Sequence, residues 1–351
     1  MWFTSDNAGP AHPSVLAALA AANEGYAPSY GGDRHMDAAR ERVREIFEAP
    51  EAEVFLVSTG TAANSLSLAC LCPPWATVYC HDEAHVETDE CAAPEFFTGG
   101  AKLTCIGGAD GRIDADALDS MIAATGRLGV HGVQRGALTI TQATEAGTIY
   151  SLADLKRLGG IADRYDVPVH MDGARFTNAL VSLGCSPAEM TWKAGVNILS
   201  FGGTKNGLMA AEAVVLFDPA KAWEFELRRK RGAHLFSKHR YLSAQMEAYL
   251  TDDLWRQMAR QANDMAARLS TGITTLDYGA LMHPTQANAV FATLPRAVHQ
   301  RAMAGGAHYY LWPGDPDPDG PEDTPVGCRL VCNWSTTEAD VDALLAAFAS
   351  G

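Results

Sequence analysis

An α/β fold is what the sequence predicts: a mainly parallel seven-stranded sheet sandwiched by helices, with a smaller C-terminal α/β domain. Three observations carry that expectation. Between Glu53 and Phe217 seven short apolar runs alternate with helix-like stretches, the pattern of strands covered by helices on both faces. A helical, charge-mixed region follows at about 219–272, and the tail returns to strands before one last helix. The chain has 351 residues, which suggests roughly two domains and gives ample length for a large core. The division is expected near residue 240, with 1–240 as the large domain and 241–351 as the small one.

The strands, in order, are "EVFLVS" from Glu53, "TVYC" from Thr77, "KLTCIG" from Lys102, "ALTITQ" from Ala137, "VPVHMD" from Val167, "NILSF" from Asn197 and "AVVLF" from Ala213. Each is short, apolar and rich in β-branched residues, as a strand buried on both faces must be. "AANSLSLACL" and "SLADLKRLGGIADRY" read as helices between them. "ANAVFATL" and "CRLVCNW" are the strands of the small domain, and its last helix begins at Thr337. The segment "WPGDPDPDGPEDTPVG", 312–327, reads as a solvated hairpin loop. Asp315, Asp317, Asp319 and Gly320 have the spacing that opens a calcium loop. The twelfth position, which needs a bidentate glutamate, is however Val326.

Composition excludes several classes. The net charge of −15 argues against nucleic acid or an anionic membrane as partner, because phosphate binding needs a basic surface. No apolar run approaches the roughly 20 residues that cross a bilayer. The start "MWFTSDNAGPAHP" has neither segment of a signal peptide, so the cytoplasm is the expected compartment. The eight cysteines sit mostly in apolar company, as in "LACLC", and form no C-x-x-C pair. Structural free thiols are expected.

Three places carry chemistry. In "EVFLVSTGTAANSLSLACL" a strand runs through Ser58-Thr59-Gly60-Thr61 straight into a helix. Backbone N–H groups, hydroxyls and the helix dipole make that junction a natural anion cup, although small residues also serve there as ordinary caps. No nucleotide P-loop or dinucleotide glycine motif is present. In "DVPVHMDGARF", Asp172 closes a buried strand, at the edge where open α/β sheets bind ligands. It either meets a cation or donor, or caps the helix that follows. In "NILSFGGTKNGLM", Lys205 sits alone in a glycine-lined turn after the next strand. A lysine held there can lose its charge by desolvation and attack a carbonyl. An anion cup, a carboxylate and a lysine, all at strand ends of one sheet, are the three things pyridoxal phosphate needs: a phosphate site, an acid for the pyridinium nitrogen and a Schiff-base lysine.

With those residues in place, "STGTAAN", "AHVETDE", "HMDGARF" and "SFGGTKNG" resemble the motifs of the L-threonine aldolase and β-eliminating lyase group, pyridoxal-phosphate enzymes of fold type I. The resemblance runs from "SDNAG" to "RLVCNW", and is greatest to the low-specificity threonine aldolase and phenylserine aldolase branch. It implies that Lys205 binds the cofactor covalently and that Asp172 pairs with the ring nitrogen. Gly60 and Thr61 would hold the phosphate, and His85 would stack on the ring. It places Ser5, Arg175 and Arg329 on the substrate carboxylate. Arg329 agrees from the residues alone: an arginine interrupting "CRLVC" wants an anion, either a ligand or an acidic side chain. The basic island "ELRRKRGAHLFSKHR" is ordinarily a solvated helix face. By the resemblance its Arg231 and Lys238 reach the phosphate of a neighbouring subunit, which implies a homodimer or homotetramer with shared sites.

The family's histidine after the "ALTIT" strand is replaced by Glu145 in "TQATEAGT", so the preferred substrate and the general base stay open. His85 is the first choice as base, because imidazole titrates near working pH. Glu90, Glu145 or water are the alternatives. "HDEAH" gives His81 and His85 the i, i+4 spacing of a helical zinc site, but its acids stand at the wrong offset and it follows a strand; no metal is expected. The function implied is cleavage of L-β-hydroxy-α-amino acids such as threonine, allo-threonine and phenylserine to glycine and an aldehyde. β-Elimination or transamination on the same cofactor is the nearest rival. A zinc hydrolase built on His81 and His85, or a binding module that leaves Lys205 unexplained, stands further off.

Overall fold

The computed structural model describes residues 1–314, 317 and 319–350. Asp315, the first residue of the calcium-like spacing, lies outside them. The larger sheet is built of β1 (Glu53–Val57), β2 (Ala76–His81), β3 (Lys102–Ile106), β4 (Gln134–Thr141), β5 (Val169–Gly173), β6 (Val196–Phe201) and β7 (Glu212–Leu216). Their order across the sheet is β1-β7-β6-β5-β4-β2-β3. β7 runs antiparallel to both β1 and β6, and every other neighbouring pair is parallel. All seven strands expected from the apolar runs are therefore present.

That order has one consequence for function. β1, β5 and β6 end at the same edge, and antiparallel β7 begins there with Glu212. The helices Gly60–Leu71 and Leu152–Asp163 cover the sheet as their sequences required. The first has nine consecutive buried residues, Ala62 to Cys70, so it is a core helix and not an amphipathic one. The helices Pro13–Ala22 and Arg34–Ile46, unassigned from the sequence, pack with Arg240–Leu250.

The second sheet holds β8 (Ala280–Leu281), β9 (Ala289–Pro295), β10 (Tyr310–Trp312) and β11 (Pro325–Val331) in the order β10-β11-β9-β8, antiparallel throughout. Pairing of Trp312 with Gly327 makes the proline- and aspartate-rich segment the connection of a hairpin. The helix Leu254–Thr274 joins the two bodies: Trp255 and Met258 belong to the large core, Met265 and Leu269 to the small one. Phe3, at the opposite end of the chain, is fully buried in that second core. Its N–H bonds to His308 O (2.8 Å), and its carbonyl accepts from Val331 N–H (2.9 Å). The residues after Phe3 are thereby led into the cleft between the bodies.

The cysteines are all free thiols. Among the described residues no helix is long and apolar enough to cross a membrane.

Candidate active site

Each chemical element of the site is placed by a strand end. β1 delivers Ser58 and Thr59, and the Thr59 hydroxyl caps the next helix by accepting from Ala62 N–H (3.2 Å). Thr59 is thus the capping residue, which leaves the N–H groups of Gly60 and Thr61 at the helix start free to face a ligand. A Cβ built on Gly60 would meet nothing within 4 Å, so that side of the helix start is open space.

β5 delivers Asp172, which is buried. Its Oδ1 accepts from Ala174 N–H (3.0 Å) and its Oδ2 from Asn64 Nδ2 (2.9 Å). The helix that follows starts from Arg175, so Asp172 is not its cap. Two donors fix the orientation of the carboxylate at the sheet edge.

β6 delivers Lys205 through Gly202-Gly203-Thr204. Here the glycines have a steric reason. A Cβ on Gly202 would collide with the Ala174 carbonyl, and one on Gly203 would stand 2.6 Å from Ala211 O. The turn packs directly on its neighbours' backbones, and Lys205 emerges half-buried with no hydrogen bond or ion pair among the described residues.

These groups line one cavity of about 290 Å³ together with His85 and Glu90. His85 Nδ1–H donates to Glu90 Oε1 (2.8 Å), and the same oxygen accepts from Asn64 Nδ2 (2.8 Å). A continuous chain His85–Glu90–Asn64–Asp172 results, in which one amide spends its two protons on two acids. The Glu90 bond raises His85 above the ordinary imidazole range, against burial, and burial raises Glu90.

A second cavity of about 560 Å³ shares His85, Lys205 and Asn7 with the first. Ser5, Arg175 and Arg329, the three residues expected at the substrate carboxylate, line it together with Glu145, so the substrate-binding candidates meet in one place. Phe291, Tyr310 and Trp312 of the small domain form its aromatic wall.

The two arginines differ. Arg175 is buried and clasped by Asp6 through Nε (2.7 Å) and Nη2 (3.1 Å), with Glu145 Oε2 4.0 Å from its Nη1. Burial would raise Asp6, but the Arg175 and Lys205 charges and the Asn288 amide hold it below the ordinary carboxylate range. The Asp6 and Glu145 carboxylates likewise keep Arg175 cationic against the cost of burial. Arg329, half-buried on β11, has no hydrogen bond or ion pair among the described residues, and burial lowers its affinity for its proton. A structural salt bridge does not account for it. Ser5 Oγ accepts from Asn7 N–H (3.1 Å) and keeps its own proton to donate.

Arg231 and Lys238 are exposed and line neither cavity. His81 has both ring nitrogens engaged, toward Gly108 O (3.2 Å) and Glu83 N–H (3.0 Å), and lines neither cavity. No group of three metal-ligating side chains occurs among the described residues.

The sequence reading missed Asp6, Asn64 and Glu212. Asn64 had a signal: a polar amide inside an otherwise apolar helix wants a partner. Glu212 had a signal akin to that of Arg329, a charge joined to an apolar run: Glu212 heads its strand, Arg329 interrupts its own. Asp6 had none.

The site fits pyridoxal phosphate on its own chemistry. Asn64 Oδ1 and Glu90 Oε2 are buried without a partner, the helix start at Gly60 is open, and Lys205 is unpaired. Residues 3–297 match the family model described as beta-eliminating lyase. A low specificity L-threonine aldolase of Pseudomonas aeruginosa is 40% identical over 95% of this chain and 93% of its own length. The threonine aldolase of Leishmania major superposes with a TM-score of 0.91 at 25% identity, covering 99% of this chain and 98% of that one. The serine palmitoyltransferase of Sphingomonas wittichii shares the fold at a TM-score of 0.71 and 14% identity, covering 100% and 86%.

Proposed function

The chain belongs to the beta-eliminating lyase family, and from that premise we propose that it cleaves L-β-hydroxy-α-amino acids to glycine and an aldehyde with pyridoxal phosphate as cofactor. One observation carries the reading: a lysine, an acid and an anion cup from three strands converge in one cavity, continuous with a compartment that holds an unpaired arginine. Pyridoxal phosphate, when bound, supplies the sink for the electron pair released from the Cα–Cβ bond.

The chain's own residues do the rest. The N–H groups of Gly60 and Thr61 and the Thr61 hydroxyl would hold the phosphate at a helix N-terminus, where partial positive charge favours an anion. Lys205 presents its amine from a turn that cannot drift, because the backbone packs against Gly202 and Gly203. Asp172, fixed by two donors, holds a proton on the ring nitrogen and so preserves the sink. Arg329 takes the substrate carboxylate in its free fork, with the Ser5 hydroxyl beside it. Arg175, already occupied by Asp6, orients that wall of the compartment.

His85, which lines the cavity beside Lys205, would stack on the cofactor ring. It is the first choice to accept the β-hydroxyl proton, with its Nδ1 tied to Glu90 and its Nε2 on the second cavity, 3.5 Å from Asp89 Oδ2. Glu145 sits in the same compartment, 4.0 Å from Arg175, and is the alternative acceptor. The aromatic wall of Phe291, Tyr310 and Trp312 suits bulky substituents on Cβ. Arg231 and Lys238, exposed and unpaired among the described residues, serve the phosphate of a neighbouring subunit, so the working unit is a homodimer or a pair of dimers in the cytoplasm.

The test is a product assay on threonine, allo-threonine and phenylserine with the reconstituted enzyme. Glycine and the matching aldehyde are expected in equal amounts. Keto acid, or pyruvate-type products without aldehyde, would move the protein to transamination or β-elimination.

A further inference from the structure

The cavity around Lys205 contains an acid that the reaction above does not use. Glu212 is buried, opens β7, and lines the cavity together with Ser58–Thr61 and Lys205. Its position follows from the topology. Because β7 runs antiparallel to β1, Glu212 pairs directly with Val57, the last residue before the anion cup. Its Oε2 accepts from Gly203 N–H (2.7 Å), the backbone unit two residues before Lys205. The Thr204 hydroxyl lies beside it and accepts from Ala211 N–H (3.2 Å), so carboxyl and hydroxyl together pin both sides of the lysine turn.

The ionisable groups facing Glu212 are few. Lys205 belongs to the turn it braces, and the Tyr249 phenol comes from the helix Arg240–Leu250. The helix Gly60–Leu71, packed on β7, brings no charged side chain, and β1 has only Glu53, at its far end. The cavity as a whole holds three carboxyls (Glu90, Asp172 and Glu212) against one lysine and one histidine. Asp172 would pair with the ring nitrogen, and Glu90 is hydrogen-bonded to His85. Glu212 has the Gly203 N–H and the Thr204 hydroxyl as donors and Lys205 as its one facing cation, which cofactor binding would engage.

We propose that Glu212 is the positioning residue of the Lys205 turn, and that it takes up a proton when the phosphate of the cofactor enters the adjoining cup. The physical reason is that a phosphate entering the adjoining cup brings like charge beside a buried carboxyl that has no cofactor atom to pair with, which favours its protonated form. The inference rests on the cofactor assigned under the proposed function. Burial already raises the Glu212 carboxyl to about 7 before any phosphate arrives. Binding that takes up a proton weakens as pH rises above that value, by up to tenfold per unit for one proton.

The experiment is a titration of apoenzyme with pyridoxal phosphate between pH 6.5 and 9, following tryptophan fluorescence, on wild type and Glu212→Gln. Phosphate-free pyridoxal is the second probe. Wild type should lose affinity for the phosphorylated probe from pH 7 upward, roughly tenfold more across the range than Glu212→Gln loses. With pyridoxal the two proteins should share one pH dependence. Equal slopes for both proteins with pyridoxal phosphate overturn the inference, as does a difference that persists with pyridoxal. If Glu212→Gln does not fold, Glu212→Asp replaces it: it should keep the pH slope at lower affinity, and a flat profile overturns the proposal. Failure of wild type to bind pyridoxal phosphate at any pH is a different result, and it removes the assigned cofactor.

Discussion

Arg175 and Asp6 form a bidentate ion pair, 2.7 and 3.1 Å between the guanidinium nitrogens and the two carboxylate oxygens, with both side chains buried. It ties the start of the chain, anchored by Phe3 in the small core, to the turn after β5. Removing one member of such a pair leaves an uncompensated buried charge. Asp6→Ala is expected to cost about 3–5 kcal/mol of unfolding free energy, read from denaturant titration. Asp6→Asn keeps the shape and should cost less, while kcat/KM falls because Arg175 is no longer held. Unchanged stability in Asp6→Ala would mean the cleft is not closed by this pair.

Lys205 is the proposed covalent partner of the cofactor, because it emerges unpaired from the glycine turn. After borohydride treatment of the loaded enzyme, peptide mapping should find the pyridoxyl group on Lys205. Lys205→Ala should abolish both the label and turnover. A label on Lys193 would be surprising, since its ammonium is 2.6 Å from Glu48 on the surface. That outcome, or a label on Lys238, reassigns the site.

Asp172→Asn removes the charge proposed to hold the ring proton while keeping the acceptor toward Ala174 N–H. Turnover should drop by several powers of ten with the cooperative unfolding transition intact. Near-normal turnover would reduce Asp172 to a turn brace.

Glu145 and His85 are separated by steady-state kinetics on threonine and phenylserine. Glu145→Gln should lower kcat/KM on both substrates by a similar factor, about tenfold to a thousandfold if the carboxylate serves in proton transfer. His85→Asn should cost more, because it loses the ring stack and the Glu90 bond together. An unchanged kcat/KM for Glu145→Gln on both substrates takes Glu145 out of the mechanism.

Acid should destabilise the protein through two buried histidines. His170 is held neutral to about 4 by burial, and His239 to about 4 by burial and the Arg229 charge. Histidine in the unfolded chain titrates near 6.5, so above that value neither residue affects stability. As pH falls from 6.5 toward 4 the unfolded state gains the proton first, and each histidine withdraws up to about 3 kcal/mol. The apoprotein's denaturant midpoint should fall between pH 7 and 5, and His170→Gln should flatten that fall. Parallel wild-type and variant profiles would show that His170 already carries its proton in the fold.

Much of the fold was legible in the sequence for a physical reason. A strand buried on both faces must be continuously apolar, and its limits are marked by glycines and polar residues, so the strands could be read one after another; β3, at the sheet edge, is mostly unburied and its run is correspondingly mixed. The helices Pro13–Ala22 and Arg34–Ile46 were not, because their burial comes from Arg240–Leu250, some two hundred residues away. The strand Tyr310–Trp312 is three residues long, too short to show a period.

The sequence by itself determined the chemistry: which residue is the lone lysine in a glycine turn, which acid closes a strand and which junction is a cup for an anion. Those follow from local rules about what a strand end can expose. Only the tertiary structure decided who is paired with whom. It spends Arg175 on Asp6 and leaves Arg329 free, links His85 to Asp172 through Glu90 and Asn64, and sets Glu212 beneath the Lys205 turn. Each of those facts depends on strand order and direction, β7 running against β1 above all, and on a chain start captured by the small domain. Pairings between residues far apart in the chain are fixed by packing energy summed over the whole core, and no local stretch carries that sum.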